Sequence, residues 1–186
     1  MNKNRYKLAF IGVLIILSGF SISKVFLDQS PDCKNQNRMI SPSSISPGEI
    51  LEFNKYQSGM TCGWGDVEAW GTWTTSQVAA LDLKVLNNSS SNLKFELAAN
   101  PFIFGEHVSV SSQVYANGKE ITRLNYNASD IGGKKTFTIP SEAKEDGTLH
   151  LVFVISEPAA PVDLKVPNST DVRKLGLGFV SIKLVS

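Results

Sequence analysis

The sequence concentrates indole rings and carboxylates in one short stretch. All three tryptophans, Trp64, Trp70 and Trp73, lie within ten residues, interleaved with glycines and with Asp66 and Glu68. An indole offers a flat apolar face that stacks on the C–H face of a pyranose, and carboxylates fix hydroxyl groups by directional hydrogen bonds. The stretch therefore predicts a sugar-binding site that contains Trp64, Asp66, Glu68 and Trp70.

The same tryptophans also have a structural interpretation, in which they cover an open end of the fold. Trp73 falls within a predicted strand, so a core position is favoured for it. Trp64 lies on a predicted glycine-rich loop, and loops on a rigid scaffold carry function more often than strands do. We therefore expect Trp64 to be the more exposed of the two.

Two further polar groups are candidates for the same site. Asp171 and Arg173 alternate onto one side of an extended segment, where arginine can form a bidentate pair with a carboxylate. The pair either organises its loop or contacts a ligand. Gln113, on a predicted hairpin, has the same two interpretations. The predicted ligand-binding residues are therefore Trp64, Asp66, Glu68, Trp70, Gln113, Asp171 and Arg173.

Catalysis has little support in the sequence. Asp66 and Glu68 could serve as the acid and base of a glycoside hydrolase, but they stand two residues apart on one predicted loop. There is no Gly-x-Ser-x-Gly motif, and neither cysteine has a neighbouring histidine. The cysteines and histidines also lack the spacing of metal ligands. We predict no catalytic residue, no metal and no cofactor.

Alternating apolar and polar residues dominate the chain beyond residue 49. The polar run from Leu86 to Asn92 predicts a hairpin into the strand that begins at Leu93. Asn117-Gly118 predicts a second hairpin, because this dipeptide supplies the positive φ angles of a type I′ turn. No amphipathic helical period is visible there. The pattern predicts an all-β domain over residues 50–186, an antiparallel jelly-roll β-sandwich with a deeply buried last strand.

The amino-terminal segment has the pattern of an export signal. Lys3, Arg5 and Lys7 precede an apolar run that begins at Leu8. We expect residues 1–28 to form a helix that is either a signal peptide or a membrane anchor, with residues 8–27 in the inner membrane in the second case. Residues 29–49, rich in Ser, Pro and Asn, read as a linker. The rest is expected in the periplasm or another extracytoplasmic compartment.

Charge and cysteine usage agree with an exported protein. The net charge of +1 comes from the basic residues of the export segment, so nothing in the remainder steers a nucleic acid. Cys33 and Cys62 are the only cysteines, and an exported chain permits their oxidation. A Cys33–Cys62 disulfide is favoured over two unpaired thiols, and closing such a loop is worth about 3 kcal/mol.

Several motifs together resemble a bacterial domain of unassigned function. They are Gly63-Trp64, Glu68, Trp70-Gly-Thr-Trp-Thr74, Val114-x-x-Asn117-Gly118, Ile139-Pro140 and Asp171-x-Arg173-x-Leu-Gly176. That domain follows the membrane-bound catalytic regions of phosphoglycerol transferases and glycosyltransferases that build envelope glycans. The resemblance covers roughly residues 50–186. It implies a carbohydrate-binding-like β-sandwich that assists glycan handling, and it brings no catalytic residue.

Two non-catalytic hypotheses follow, with a glycoside hydrolase that uses Asp66 and Glu68 as the third alternative. The leading one is a non-catalytic glycan-binding accessory module of the cell envelope. The alternative is a docking domain for a membrane enzyme that makes envelope polysaccharide. The partner is accordingly an envelope glycan or such an enzyme, together with the membrane itself if the amino-terminal segment is retained.

Overall fold

The computed structural model describes residues 41–87, 92–144 and 147–186, which form two six-stranded sheets. The first sheet contains β1 (Ser43–Ile45), β3 (Met60–Cys62), β6 (Val78–Val85), β8 (Ser109–Ala116), β9 (Lys119–Asn127) and β11 (Thr148–Ile155). The second contains β2 (Ile50–Glu52), β4 (Trp64–Glu68), β5 (Gly71–Thr74), β7 (Leu93–Pro101), β10 (Lys134–Ile139) and β12 (Leu177–Leu184). Two short 3-10 turns cover Ala128–Asp130 and Ser141–Ala143. The predicted all-β sandwich is confirmed at this level.

Strand order places β6 and β11 in the interior of the first sheet and β7 and β12 in the interior of the second. The first sheet runs β1-β6-β11-β8-β9, and β3 pairs with β6. The second runs β10-β7-β12-β5-β4, and β2 pairs with β12. Because β6, β11, β7 and β12 each have neighbours on both sides, their inner faces can be wholly apolar.

Alternation along the strands builds the core between the sheets. The inward side chains of β12 are all fully buried: Leu177, Phe179, Ile182 and Leu184. They face an equivalent row on β11, and the rings of Phe153 and Phe179 meet edge to face at 4.9 Å. Burying each such side chain stabilises the fold by about 1.5–3 kcal/mol. The prediction that the last strand lies deep in the core is confirmed.

The hairpin predicted at Asn117-Gly118 is confirmed. These residues have φ angles of 46° and 82°, and Ala116 pairs with Lys119 across the turn. Both central residues of a type I′ turn need positive φ, which asparagine and glycine tolerate best. The turn fixes the register of β8 against β9.

The hairpin predicted between β6 and β7 is wrong. β6 belongs to the first sheet and β7 to the second, so the chain crosses between the sheets there. Polar turn residues show that the chain reverses, but they do not say whether the next strand pairs within the same sheet or packs across from it. Only the partners, β11 for β6 and β12 for β7, decide this.

A parallel pair also departs from the expected antiparallel sheets. β1, which lies within the stretch predicted as a linker, pairs with β6 in parallel, with Ser43 opposite Leu83. A parallel pair usually needs a helical crossover. Here the intervening chain passes through the second sheet, because β2, β4 and β5 all belong to it. Strands of the opposite sheet therefore provide the crossover.

The predicted export segment lies outside the described residues. The same holds for Cys33, so the helix of residues 1–28, its fate and the Cys33–Cys62 disulfide stay predictions. Within residues 41–87, 92–144 and 147–186, no helix is long and apolar enough to cross a membrane.

Candidate functional site

Strand β5 turns its threonines inward and its tryptophan outward. Thr72 and Thr74 are fully buried. Thr72 Oγ1 donates to the Phe53 carbonyl at 2.7 Å, and Thr74 Oγ1 accepts from the Leu177 amide at 2.9 Å. Because successive side chains of a strand point to opposite faces, Trp73 lies on the outer face of the second sheet, where it is partly exposed.

A glycine on β12 provides the seat for two indole rings. Gly178 pairs with Trp73 in register and lies between two fully buried residues, so its missing side chain would point outward. A Cβ atom there would lie 2.5 Å from Trp70 Cη2 and 3.1 Å from Trp73 Cε3. Both rings therefore pack over the bare backbone of Gly178.

The rings form a row along the outer face. Trp70 and Trp73 meet edge to face, with centroids 5.2 Å apart and planes at 71°. Phe102 continues the row from Trp73 at 5.9 Å and 87°. All three side chains are partly exposed. We call Trp70, Trp73 and Phe102 the aromatic row.

A chain of polar contacts holds the Trp70 end of this row. Trp70 Nε1 donates to Glu68 Oε2 at 2.8 Å. The other oxygen of Glu68 lies 3.7 Å from Arg173 Nη2. Arg173 in turn donates from Nε and Nη2 to the Asp171 carboxylate, at 3.0 Å and 2.7 Å. Glu68 is thus used to position an indole ring.

The opposite charges within this series of polar contacts stabilise one another. The side-chain hydrogen bond from Arg173 lowers the pKa of Asp171, and the backbone amide of Arg173 adds to the effect. The same bond to Asp171 raises the pKa of Arg173, as do the charges of Glu68 and Asp66. Three carboxylates surround one guanidinium, so the end of the row has an excess of negative charge.

The structure brings together most of the residues that the sequence indicates for the site. Asp66 is exposed on β4, and its charge reaches Arg173. Glu68, Trp70, Asp171 and Arg173 form the contacts described above. These five residues come from two segments about a hundred positions apart in the chain, which β5 and β12 bring side by side.

Trp64 lies elsewhere, between the two sheets. Its ring stacks on Phe53 at 5.5 Å and meets Phe179 edge to face at 4.9 Å. Its Nε1 donates at 2.7 Å to the carbonyl of Ala80, on the opposite sheet. The sequence predicts Trp64 on an exposed loop. In the structure, Trp64 is the first residue of β4, and it pairs with the inward-facing Thr74. Trp64 therefore fills the core edge, the role expected of Trp73.

Gln113 does not join the aromatic row either. It lies on β8, in the first sheet, and its amide donates to Glu120 Oε1 at 3.5 Å. The sequence placed it on a neighbouring hairpin but could not assign that hairpin to a sheet.

Three residues of the site were missed from the sequence: Trp73, Phe102 and Gly178. The alternation Thr-Trp-Thr does show that Trp73 faces away from Thr72 and Thr74. Hydropathy then assigns the wrong side to the core, because the buried threonine hydroxyls are satisfied by backbone groups that sequence alone does not reveal. The glycine at position 178, between Leu177 and Phe179, was the available signal for a ring seat.

No metal centre is found in the part of the chain that the structure describes. Groups of three or more His, Cys, Asp or Glu side chains that could hold an ion are absent there. In the acidic cluster beside the row, the guanidinium of Arg173 pairs with the carboxylates of Glu68 and Asp171.

No family model matches the chain, and no curated protein matches it. Among solved structures, the carbohydrate-binding module CBM36 in complex with calcium and xylotriose is 9% identical, with a TM-score of 0.42, 73% of this chain covered and 98% of that one. A family 35 carbohydrate-binding module from an environmental isolate is 13% identical, with a TM-score of 0.39 and coverage of 81% and 90%. Dimeric latent PorU from Porphyromonas gingivalis is 12% identical, with a TM-score of 0.41, and the match covers 76% of this chain and 13% of that one. Likenesses at this level assign neither fold nor ligand.

Proposed function

We propose that this protein binds a glycan on the outer face of its second sheet and does not transform it. The aromatic row supplies partly exposed rings, and Glu68, Asp66 and Arg173 supply hydrogen-bonding groups at one end. This pairing of flat apolar surfaces with a few oriented polar groups is what pyranose recognition requires.

The observation that carries the proposal is the fixed position of Trp70 over Gly178. An indole that folds onto an outer sheet face, with its N–H already bonded to Glu68, has a defined orientation before any ligand arrives. Such preorganisation reduces the entropy lost on binding. The core alone would not require this arrangement, because Trp70 lies outside it.

We further propose that the ligand is an envelope glycan and that the protein acts in an extracytoplasmic compartment. The support is the export pattern of residues 1–28 and the resemblance to domains that accompany envelope glycosyltransferases. The glycan would be neutral or amine-bearing, since the excess carboxylates at the Trp70 end disfavour an anionic chain.

Isothermal titration of envelope oligosaccharides with residues 29–186 tests the proposal. We expect Trp73→Ala to weaken binding at least about tenfold, because a buried aromatic contact at a recognition site is commonly worth more than 1.4 kcal/mol. Gln113→Ala, on the other sheet, is the matched control and should bind like the wild type. Absence of binding to every oligosaccharide, or equal binding by Trp73→Ala, would refute glycan recognition at this face.

A further inference from the structure

The outer face of the first sheet carries a second cluster of buried side chains, separate from the core between the sheets. Its members are Cys62, Val78, Ala80, Tyr115, Val152 and Val154, and none is more than 8% exposed. Their neighbours in the strands, such as Leu81 and Leu151, belong to the inner core. Because side chains alternate, these six point outward. We call them the outer cluster.

The direction of β1 limits the paths open to the preceding chain. β1 is parallel to β6, with Ser43 opposite Leu83, so earlier residues would continue alongside Leu81 and Ala80. Those positions of β6 are already paired with Met60 and Cys62 of β3. Continuation of β1 along β6 before Ser43 is therefore blocked by β3, and the inner side of the sheet is filled by the core.

We propose that residues 29–40 lie over the outer cluster and that a Cys33–Cys62 disulfide holds them there. Ser43 lies ten positions after Cys33, a stretch of chain that reaches up to roughly 33 Å when extended. Along β6, the partners of Ser43 and Cys62 are three residues apart, roughly 10 Å. The segment is thus longer than the distance it has to span. Met39 and Ile40, shortly before β1 in the sequence, provide apolar side chains for the contact.

The covalent step is an ordinary thiol–disulfide exchange. The thiolate of one cysteine attacks an external disulfide, such as oxidised glutathione, forming a mixed disulfide and releasing one external thiolate; the thiolate of the second cysteine then attacks the mixed disulfide at the protein sulfur and releases the other. One S–S bond forms within the chain. The external disulfide accepts two electrons and, with two protons, leaves as two thiols.

Trypsin provides the test, because Lys34 and Arg38 lie within the proposed segment. The purified full chain, in detergent, is oxidised with glutathione disulfide, digested under native conditions and mapped by mass spectrometry. We expect cleavage at Lys34 and Arg38 to be at least about tenfold slower than in the same sample after reduction, because docking closes the segment to the protease. Unreduced peptides should contain Cys33 linked to Cys62.

The control variant is Cys33→Ser, which should be cut at the reduced rate whatever the redox state. Reduction of the folded wild-type protein also compares cleavage with and without the disulfide, and this comparison does not depend on the folding of a variant. Equal cleavage of oxidised and reduced protein overturns the docking. A disulfide between two chains overturns the intramolecular link and indicates that a second copy covers the outer cluster.

Discussion

At the scale of single residues, the aromatic row depends on a carboxylate that does structural work. Glu68 bonds the Trp70 indole with one oxygen and approaches Arg173 with the other. A glycosidase acid or base needs a carboxyl group free to exchange a proton with substrate. Because both oxygens of Glu68 are engaged, its geometry favours a role in holding the ring.

The Asp171–Arg173 pair predicts a specific dependence of stability on pH. The pKa of Asp171 is lowered in the folded protein, first by the Arg173 side-chain bond. A lowered folded pKa stabilises the fold above the unfolded value, about 3.9, and this contribution disappears as pH falls through the folded pKa. We expect Tm to be higher for wild type than for Asp171→Asn from pH 5 to 8, the difference to shrink as pH falls below about 3.9, and to vanish only below the lowered folded pKa of Asp171.

The measurement is a series of thermal melts of both proteins across that pH range. Asp163→Asn removes an exposed carboxylate and should melt like the wild type throughout. A difference between wild type and Asp171→Asn that persists undiminished at low pH would show that the pair does not act through the ionised carboxylate.

At the scale of elements, two glycines at the start of β12 serve the two faces of the second sheet: Gly176 directly precedes the strand, and Gly178 lies within it. A methyl at Gly178 would meet the rings of Trp70 and Trp73 on the outer face. A methyl at Gly176, two residues earlier, would lie 2.5 Å from Ile155 Cγ2 of the opposite sheet. The absence of a side chain at Gly178 therefore lets the two indole rings pack on the outer face, and its absence at Gly176 lets the two sheets pack closely.

Substituting the two glycines separates these roles. We expect Gly178→Ala to keep the fold, to shift tryptophan fluorescence as the rings move outward, and to weaken glycan binding about tenfold. Gly176→Ala should lower the free energy of unfolding by about 1–3 kcal/mol through overpacking, and leave the fluorescence unchanged. Denaturant titration and emission spectra measure both. If Gly178→Ala altered neither fluorescence nor binding, the ring seat would have no role.

Sequence patterns predicted the strands well and their partners poorly. The alternation in Val78–Val85 and Thr148–Ile155 and the turn at Asn117-Gly118 are local, and the structure has strands and a hairpin there. The crossing from β6 to β7 and the inward position of Trp64 depend on contacts with distant segments. At the site, residue type was enough to find Glu68, Trp70 and Arg173. The sequence favoured an exposed position for Trp64 and a core position for Trp73, and the structure has the reverse, because contacts with distant segments decide both positions.

At the scale of the whole molecule, the two outer faces carry different chemistry. The second sheet presents the aromatic row with a charged end, and the first sheet presents the outer cluster, which contains Cys62. The inner core separates them, and packed sheets lie about 10 Å apart. If the amino-terminal segment docks on the first sheet and also reaches the membrane, the glycan-binding face points the other way.

This arrangement predicts that the two faces act independently. Reduction of the proposed Cys33–Cys62 disulfide should expose Lys34 and Arg38 to trypsin yet change glycan affinity less than about twofold, since sites that share no contacts are usually energetically additive. Titration of the best-bound oligosaccharide before and after reduction measures this, with Trp73→Ala as the variant that must lose affinity in both states. An affinity that fell several-fold on reduction would mean that strain at Cys62 passes through β3 and β6 to Trp64, which bonds the Ala80 carbonyl, and from there to the opposite sheet. Loss of protease protection with unchanged affinity would instead establish a module whose attachment and recognition surfaces were built on opposite sheets.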